Sequence, residues 1–180
     1  VHSKPDEKRL NSFFCFLASR GYKVNGKKKN ITARDLQNVL KQLEDKPDAK
    51  ILNDLAIRSQ AKAVYSDTNI GHFGLGSKCY AHFTSPIRRY PDLILHRLVK
   101  DYQYHYSSEV IEYWRKNLPI MALHCSEKDQ DAVKCERDVD DMKKAEYMES
   151  HIGETFTGVI SGVQEFGVFV ELPNTVEGLA

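Results

Sequence analysis

The spacing of apolar residues changes near Gly153, and this change limits the folds that are open to the chain. Before Gly153, apolar residues recur every three or four positions in several segments, as in amphipathic helices. After it, the run GETFTGVISGVQEFGVFVELPNTVEGL alternates β-branched and aromatic residues between glycines, which is typical of short strands joined by turns. The sequence therefore predicts an α+β fold, with a mainly helical part over residues 1–150 and a β part over residues 151–180.

The charged residues are divided at the same place. The chain of 180 residues has 26 Lys and Arg against 25 Asp and Glu. Four of the acidic residues and none of the basic ones lie in residues 151–180, which leaves 26 basic against 21 acidic residues on residues 1–150. Such an asymmetry indicates two units with different surfaces.

Length and composition exclude several classes of protein. No apolar stretch approaches the roughly 18 residues that cross a bilayer, so no membrane anchor is predicted within the chain. The chain has four cysteines, Cys15, Cys79, Cys125 and Cys135, and no two of them have CxxC spacing. This favours free thiols in a reducing cytoplasm over disulfides. Because the chain begins at Val1 and stops after a strand-like run, we expect it to be cut from a longer polypeptide.

Apolar periodicity predicts five helices, over residues 5–18, 33–43, 47–65, 86–102 and 118–148. Thr32 is expected to cap the second of these, with Asp35 in its first turn.

The third predicted helix carries a candidate RNA-binding face. Arg58, Lys62 and Tyr65 align on one side of it, where two cations and an aromatic ring suit an RNA backbone with a stacked base. The alternative is a solvated face on which Arg58 pairs with Asp54, one turn back.

Three glycines interrupt the helical pattern in NIGHFGLG, residues 69–76. The segment lacks the GxxxxGK[ST] order of a phosphate loop, so we expect a turn in which glycines permit positive φ or a close backbone approach. His72 has no HxH or HExxH partner, and a metal role is not predicted for it.

The segment YAHFTSPIRRYPD, residues 80–92, is the most informative one. Ser85 is a good N-cap and Pro86 a good first helical residue, so a helix is predicted to begin there. Arg88 and Arg89 then fall in its first turn, where the helix dipole disfavours cations. Together with the Thr84 and Ser85 hydroxyls they form a site that an anion would complete, and phosphate is the natural candidate.

The sequence allows an alternative for the two arginines and predicts a break in the helix after them. Arg88 or Arg89 could instead pair with a carboxylate elsewhere in the fold. Pro91 is expected to kink or restart the helix before residues 92–102 continue it.

The last predicted helix contains an unusually placed carboxylate. Glu136 falls at the edge of an apolar stripe, where it needs a partner or a task. Nearby Asp138, Asp140 and Asp141 fan around the helix among Lys and Arg, which favours a solvated face over a metal site.

In combination, these motifs resemble the ribonuclease II/ribonuclease R family, and ribonuclease R more closely. The matching segments are RSQAKAVYS, GHFGL, YAHFTSPIRRYPDLILHR and CERDVDDM, followed by a G-x-V-x-x-V-x-x-F-G-x-F-V pattern and EGL. The last pattern resembles the opening of an S-one RNA-binding domain, a five-stranded OB barrel. By this resemblance, residues 1–150 are the C-terminal portion of an RNB catalytic domain, and residues 151–180 are the first strands of the barrel.

The family resemblance implies a processive 3′-to-5′ exoribonuclease that hydrolyses single-stranded or 3′-tailed RNA to nucleoside 5′-monophosphates with magnesium. It also implies a monomeric, cytoplasmic enzyme. Arg88 matches the family arginine that contacts the scissile phosphate, and Glu136 matches the glutamate that helps to hold the 3′-terminal nucleotides. Further candidates for RNA contacts are Arg89, Ser85, Thr84, Arg58, Tyr65 and His72.

Two phenylalanines of the barrel are candidates for base stacking. By the resemblance, Phe166 and Phe169 would form an aromatic platform. Strand alternation puts them on opposite faces, so one of them could belong to the barrel core instead.

The family's magnesium ligands are aspartates of a DxxDAxDxDDA-like segment, which this chain lacks. We therefore expect that this chain alone binds no catalytic magnesium and hydrolyses no RNA. The alternative function is that of a non-catalytic RNA-binding relative, and the residues upstream of the chain would discriminate the two.

Overall fold

The structure, a computed structural model, describes residues 1–24, 31–44, 46, 49–174 and 176–179. Its elements are α1 (Glu7–Ser19), α2 (Ala33–Leu43), α3 (Ala49–Arg58), a 3-10 turn (Phe73–Leu75), α4 (Tyr90–Tyr104), α5 (Ser108–Glu149), β1 (Val159–Gln164), β2 (Gly167–Glu171) and β3 (Glu177–Leu179). The predicted α+β class is confirmed. Two compact units divide inside α5, Val1–Lys128 and Asp129–Ala180.

The first three helices of the first unit share one apolar core. Asp6 caps α1 by accepting the backbone N–H groups of Lys8 and Arg9. Thr32 caps α2 and Asp35 lies in its first turn, as predicted, and the two also form a reciprocal capping box, which was not predicted. The buried side chains of the three helices pack together: Leu10, Phe13, Phe14, Leu17, Leu36, Val39, Leu43, Leu52 and Ala56.

A second core joins α4 to the first part of α5. It consists of Ile94, Trp114 and Cys125, with partly buried neighbours that include Tyr65. The Trp114 indole donates a 3.0 Å hydrogen bond to Asp101, which satisfies its one polar atom at the edge of this core.

The third helix ends earlier than predicted. α3 stops at Arg58, and residues 59–66 are not helical. Their backbone has partners distant in sequence, because the amide of Tyr65 donates to Ser126 Oγ on α5 at 2.9 Å. The prediction that Arg58, Lys62 and Tyr65 share a helix face was therefore wrong.

The fourth helix begins later than predicted. α4 starts at Tyr90, its N-cap residue is Arg89, and Pro91 occupies the first turn. Proline has no amide hydrogen and its ring would clash with the carbonyl four residues earlier, so a helix cannot run unbroken from Pro86 through Pro91. The predicted start at Pro86 was wrong, and the predicted restart at Pro91 is confirmed.

The fifth helix begins ten residues before the predicted start. α5 runs from Ser108 and contains Pro119 within it. Trp114, which precedes this proline, is buried in the second core and helps to hold the earlier turns in place.

The 3-10 turn shows both glycine roles that were predicted. Gly76 has φ 62°, the left-handed region that suits glycine. The amide of Gly74 donates to His2 Nδ1 at 2.8 Å, and a Cβ on Gly74 would lie only 2.8 Å from the same nitrogen.

The second unit contains the predicted strands. They form an antiparallel meander in the order β1-β2-β3, with Gly162 opposite Phe169 and Val170 opposite Gly178. An irregularity in the register lies between Ile160 and Gly162.

Across the described ranges, no helix has an apolar stretch long enough to cross a bilayer. The run KVNGKKKN, residues 23–30, predicts a short basic loop, most of which lies outside the described residues.

Candidate nucleic-acid interface

A single turn between Ser85 and Arg89 presents two arginines. The Ser85 carbonyl accepts the amide of Arg89 at 3.0 Å and that of Arg88 at 3.3 Å, after which extended backbone at Arg89 breaks the turn from α4. The side chain of Ile87 is fully exposed, so apolar packing does not hold this turn. Thr84 is exposed and Ser85 is half-buried.

The two arginines have different surroundings. Arg89 donates from Nη2 to Asp92 Oδ2 at 2.9 Å, and its side chain is only 24% exposed. Arg88 is exposed, and its guanidinium has no hydrogen bond or ion pair with any residue that the structure describes. Of the two alternatives open from the sequence, pairing with a carboxylate is what the structure shows for Arg89. Arg88 has no such partner among the described residues, and its guanidinium remains accessible.

Asp92 is the residue that organises this turn, and the sequence analysis missed it. Its side chain is completely buried in the first turn of α4. Besides the Arg89 guanidinium, Oδ2 accepts the amide of Ser85 at 2.7 Å. Burial acts to raise the pKa of this carboxyl, but the hydrogen bonds from the Ser85 amide and from Arg89 outweigh it and hold the pKa below its ordinary value of 3.8.

A second side chain of α4 contacts the same loop. His96 lies one helical turn after Asp92, and its Nε2 donates to the carbonyl of Phe83 at 2.8 Å. Its ring stacks on the ring of Phe83, with centroids 4.2 Å apart and planes 8° from parallel.

Edge-to-face contacts join four rings beside this loop, which we call the aromatic row: Tyr65, His82, Tyr80 and His72. Successive centroids lie 5.5, 5.6 and 5.3 Å apart. Tyr65 Oη is also hydrogen-bonded to His82 Nδ1 at 2.9 Å. The row thus brings together Tyr65 and His72, two predicted RNA contacts, and leaves Tyr80 half exposed.

His72 caps the 3-10 turn, because its Nδ1 accepts the amide of Leu75 at 3.3 Å. Burial lowers the pKa of His72 below 6.5, and the neighbouring His2 ring acts in the same direction. His72 is therefore neutral at pH 7, and its contacts are those of a hydrogen-bonding ring rather than of a cation.

The remaining candidates of the first unit lie apart from this cluster in sequence. Arg58 is exposed at the last position of α3. The break in the helix after it separates it from Tyr65, so the two no longer form the predicted pair of neighbours on one face.

In the second unit, Glu136 lies on the exposed part of α5. Its carboxylate has no hydrogen bond or ion pair with any described residue. The stripe beside it is exposed as well, at Val139 and Met142, which are 48% and 56% exposed.

Phe166 and Phe169 meet in this same unit. Phe166 lies in the turn between β1 and β2 and is 72% exposed, whereas Phe169 lies within β2. Their rings are perpendicular with centroids 6.1 Å apart. The predicted opposite faces were wrong, because strand alternation does not extend into a turn.

A catalytic magnesium ion does not fit the part of the chain that the structure describes. No group of three or more His, Cys, Asp or Glu side chains is arranged there to hold a metal. The buried carboxylate of Asp92 is already engaged by an amide and a guanidinium.

The sequence contains local signals for the residues of this surface that were not predicted. Asp92 stands three positions after Arg89 and His96 four positions after Asp92, so that both fall on one helix face. Tyr80 and His82 alternate in an extended segment, which places them on the same side.

The arrangement of this first unit suits an anionic, base-bearing ligand. An accessible guanidinium can bind phosphate oxygens bidentately, and exposed rings can contact bases. Nucleic acid has both features, and the contact types on this surface are those of backbone and stacking rather than of base-edge readout.

Comparison with known proteins also indicates a relation to nucleic-acid enzymes. The family model of the RNB domain matches residues 1–105. Ribonuclease R 1 of Lactococcus lactis is 42% identical over 180 residues, which are 99% of this chain and 22% of that protein. The chain thus spans less than a quarter of the length of this relative.

Solved structures match the fold. The RNase R of Mycoplasma genitalium in complex with ribose methylated single-stranded RNA has a TM-score of 0.89 and 30% identity, over 99% of this chain and 29% of that one. Yeast Ssd1, a pseudonuclease, has a TM-score of 0.77 with 22% identity over 99% of this chain and 23% of its own, which shows the fold alone. The chain belongs to the RNB domain family, and it is related over its whole length to ribonuclease R.

Proposed function

We propose that this chain is the phosphate-binding part of a processive 3′-to-5′ exoribonuclease that releases nucleoside 5′-monophosphates. The observation that carries the proposal is the contrast between Arg88 and Arg89. One arginine is paired with a buried aspartate, and its neighbour is exposed without a partner among the described residues. This contrast occurs in a chain that is 42% identical to a ribonuclease R.

In this proposal Arg88 contacts the scissile phosphate. Its fork of N–H donors binds two phosphate oxygens, and it stabilises the negative charge that develops on them during hydrolysis. Arg89 is held by Asp92 and supports the turn, while Thr84 and Ser85 offer hydroxyls to the RNA backbone.

RNA approaches over two further surfaces. Tyr65 and His72 contact it through the aromatic row, and Arg58 adds a positive charge for the backbone. In the other unit, Phe166 and Phe169 stack bases. Glu136 accepts hydrogen bonds from the 3′-terminal nucleotides, where a carboxylate suits the ribose hydroxyls that distinguish RNA from DNA.

Magnesium would be held by residues outside this chain, since the described residues do not form a site for it. The family chemistry that it supplies when bound is the activation of water at the scissile phosphate. The present chain contributes binding and charge stabilisation, and by itself it is inactive.

The proposed domains are the C-terminal portion of the RNB domain over residues 1–150 and the start of an S-one barrel over residues 151–180. The complete enzyme is proposed to be monomeric and cytoplasmic, with single-stranded or 3′-tailed RNA as its substrate.

A second candidate is a non-catalytic RNA-binding relative. Yeast Ssd1, a pseudonuclease, has the same fold at a TM-score of 0.77, so the fold by itself does not distinguish this candidate from a nuclease. Converging aspartates upstream of this chain favour the nuclease, and their replacement favours the binder.

Degradation of labelled RNA by the complete protein tests the proposal. With a 5′ label, a processive 3′-to-5′ enzyme leaves only a short labelled remnant and no ladder of intermediates. With a 3′ label, it releases labelled nucleoside 5′-monophosphate at once, and a magnesium chelator stops both reactions. Internal cleavage products, or a first release from the 5′ end, would contradict the proposal. Tight binding without degradation would select the binding module.

A further inference from the structure

The turn that carries Arg88 is held from outside by two side chains of α4. Asp92 Oδ2 accepts the Ser85 amide at 2.7 Å, and His96 Nε2 donates to the Phe83 carbonyl at 2.8 Å. Asp92 and His96 lie one helical turn apart on the same face of α4. That face is therefore hydrogen-bonded to the backbone of the loop at two places, Phe83 and Ser85.

The turn needs such a support. Its own hydrogen bonds end on one carbonyl, that of Ser85. Ile87 at its tip is fully exposed and packs on nothing. A short exposed turn of this kind opens easily unless other groups fix it.

Asp92 has a second effect, on the choice between the arginines. Its Oδ2 also accepts Arg89 Nη2 at 2.9 Å, which draws that guanidinium toward α4. If both guanidinium groups were unpaired, either could bind the phosphate, and the two would hold it in different positions. The ion pair with Asp92 leaves Arg88 as the accessible one of the two.

We propose that Asp92 and His96 are positioning residues for the reaction: they fix the segment from Phe83 to Arg89 so that Arg88, and not Arg89, is aimed at the phosphate. This inference rests on the proposed function, in which Arg88 contacts the scissile phosphate. Neither Asp92 nor His96 touches the substrate.

The effect on rate follows from orientation. A guanidinium that stabilises charge in the transition state must lie within hydrogen-bonding distance of the oxygens as they become charged. A displacement of about 1 Å in a catalytic group can cost roughly 100-fold in rate, whereas ground-state binding of a long RNA is spread over many contacts.

The experiment uses the complete enzyme and single-turnover cleavage of a 3′-tailed RNA, together with RNA affinity and thermal melting. Asp92→Ala should lower the cleavage rate about 10- to 100-fold and change the RNA Kd by less than about threefold. Asp92→Asn keeps an acceptor for the Ser85 amide but loses the charge that holds Arg89, so its loss should be smaller. Glu112→Gln, which removes an exposed acid from α5, is the matched control and should cleave normally.

A double-mutant cycle separates positioning from a merely structural role. If Asp92 acts through Arg88, the Asp92→Ala loss should nearly vanish in the Arg88→Ala background. The same loss in both backgrounds would overturn the inference. If Asp92→Ala does not fold, the cycle is repeated with Asp92→Asn and with His96→Gln. For each, the loss of cleavage in the wild-type background is again compared with the loss in the Arg88→Ala background.

The two failures can be distinguished. Unchanged cleavage by Arg88→Ala would refute the proposed function itself. Impaired cleavage by Arg88→Ala with normal cleavage by Asp92→Ala and His96→Gln would refute only the positioning roles.

Discussion

Arg89 donates a 2.9 Å hydrogen bond to Asp92, a carboxylate that is completely buried three residues further along α4. A buried carboxylate is stable only when charged partners and hydrogen bonds compensate for the water that it has lost. Here the Ser85 amide and the Arg89 guanidinium do so at Oδ2, whereas Oδ1 is buried without a hydrogen-bond partner among the described residues. The stability of the Arg88 turn is thus tied to the ionisation of one group.

The first prediction concerns acid. Because the pKa of Asp92 is held below 3.8 in the folded chain, its contribution to stability is present above pH 3.8. That contribution is lost as the pH falls through the lower pKa of the folded state. We expect the wild-type chain to lose more of its free energy of unfolding than Asp92→Asn as the pH is lowered below 3.8, in urea titrations at a series of pH values. Parallel curves for the two proteins would contradict this expectation, and Glu112→Gln should follow the wild type.

The second prediction concerns the aromatic platform of the β unit. Phe166→Ala removes a ring that is 72% exposed, and stacking on one base is worth about 1 to 3 kcal/mol. Fluorescence anisotropy with a short single-stranded RNA should show a loss of affinity of about tenfold. Phe169→Ala should lose a comparable amount, because its ring supports that of Phe166 at 6.1 Å. Val163→Ala, an exposed apolar position of β1 at 69%, is the control without a ring; an equal loss there would exclude a specific platform.

The third prediction concerns the 3-10 turn. In Gly74→Ala the new methyl group would meet His2, a buried ring fixed by the Ala61 carbonyl and the Gly74 amide. We expect a destabilisation of about 1 to 3 kcal/mol in chemical unfolding, as for other overpacked sites. Gly178→Ala, which has open space around it, should change the stability little. Equal stability of Gly74→Ala and wild type would mean that His2 can move aside.

The fourth prediction is that this chain alone does not hydrolyse RNA. Among the described residues, no three or more His, Cys, Asp or Glu side chains are arranged to hold a metal, whereas two-metal hydrolysis needs several converging carboxylates. A 5′-labelled RNA with a 3′ overhang should remain intact on a gel after incubation with the chain and magnesium. Degradation that a chelator abolishes would refute this prediction, whereas degradation that persists with the chelator would indicate a contaminating nuclease.

Local signals were read correctly where both partners are close in sequence. Thr32 and Asp35 at the start of α2 lie within four residues of the sequence, and Thr32 caps the helix as predicted. The strands after Gly153 followed from alternation and glycines in the same way.

Distant partners explain what could not be predicted. After the end of α3, the amide of Tyr65 bonds to Ser126, 61 positions away, and no local pattern contains such a contact. Two prolines, Pro86 and Pro91, each favour a first helical turn, so the sequence offered two starts for α4. In the structure Pro91 is the one that lies in the first turn.

The site was predicted in its parts but not in its organisation. The residue types around Arg88 indicated phosphate, yet Arg88 precedes α4 and therefore does not lie in a first helical turn, where the dipole would disfavour a cation. What distinguishes the two arginines is the buried partner Asp92, whose burial is a property of the fold.

The most direct test compares Arg88→Ala with Arg97→Ala in the complete enzyme. Arg97 is another exposed arginine, on α4. Single-turnover cleavage and RNA affinity should be measured side by side. We expect Arg88→Ala to lower cleavage by about 100-fold or more with a much smaller loss of affinity, and Arg97→Ala to change neither appreciably. Arg88→Lys should restore cleavage only in part, because an ammonium cannot reproduce the bidentate fork. Equal losses of cleavage and affinity in Arg88→Ala would mean that Arg88 only binds RNA and does not stabilise the charge that develops during hydrolysis.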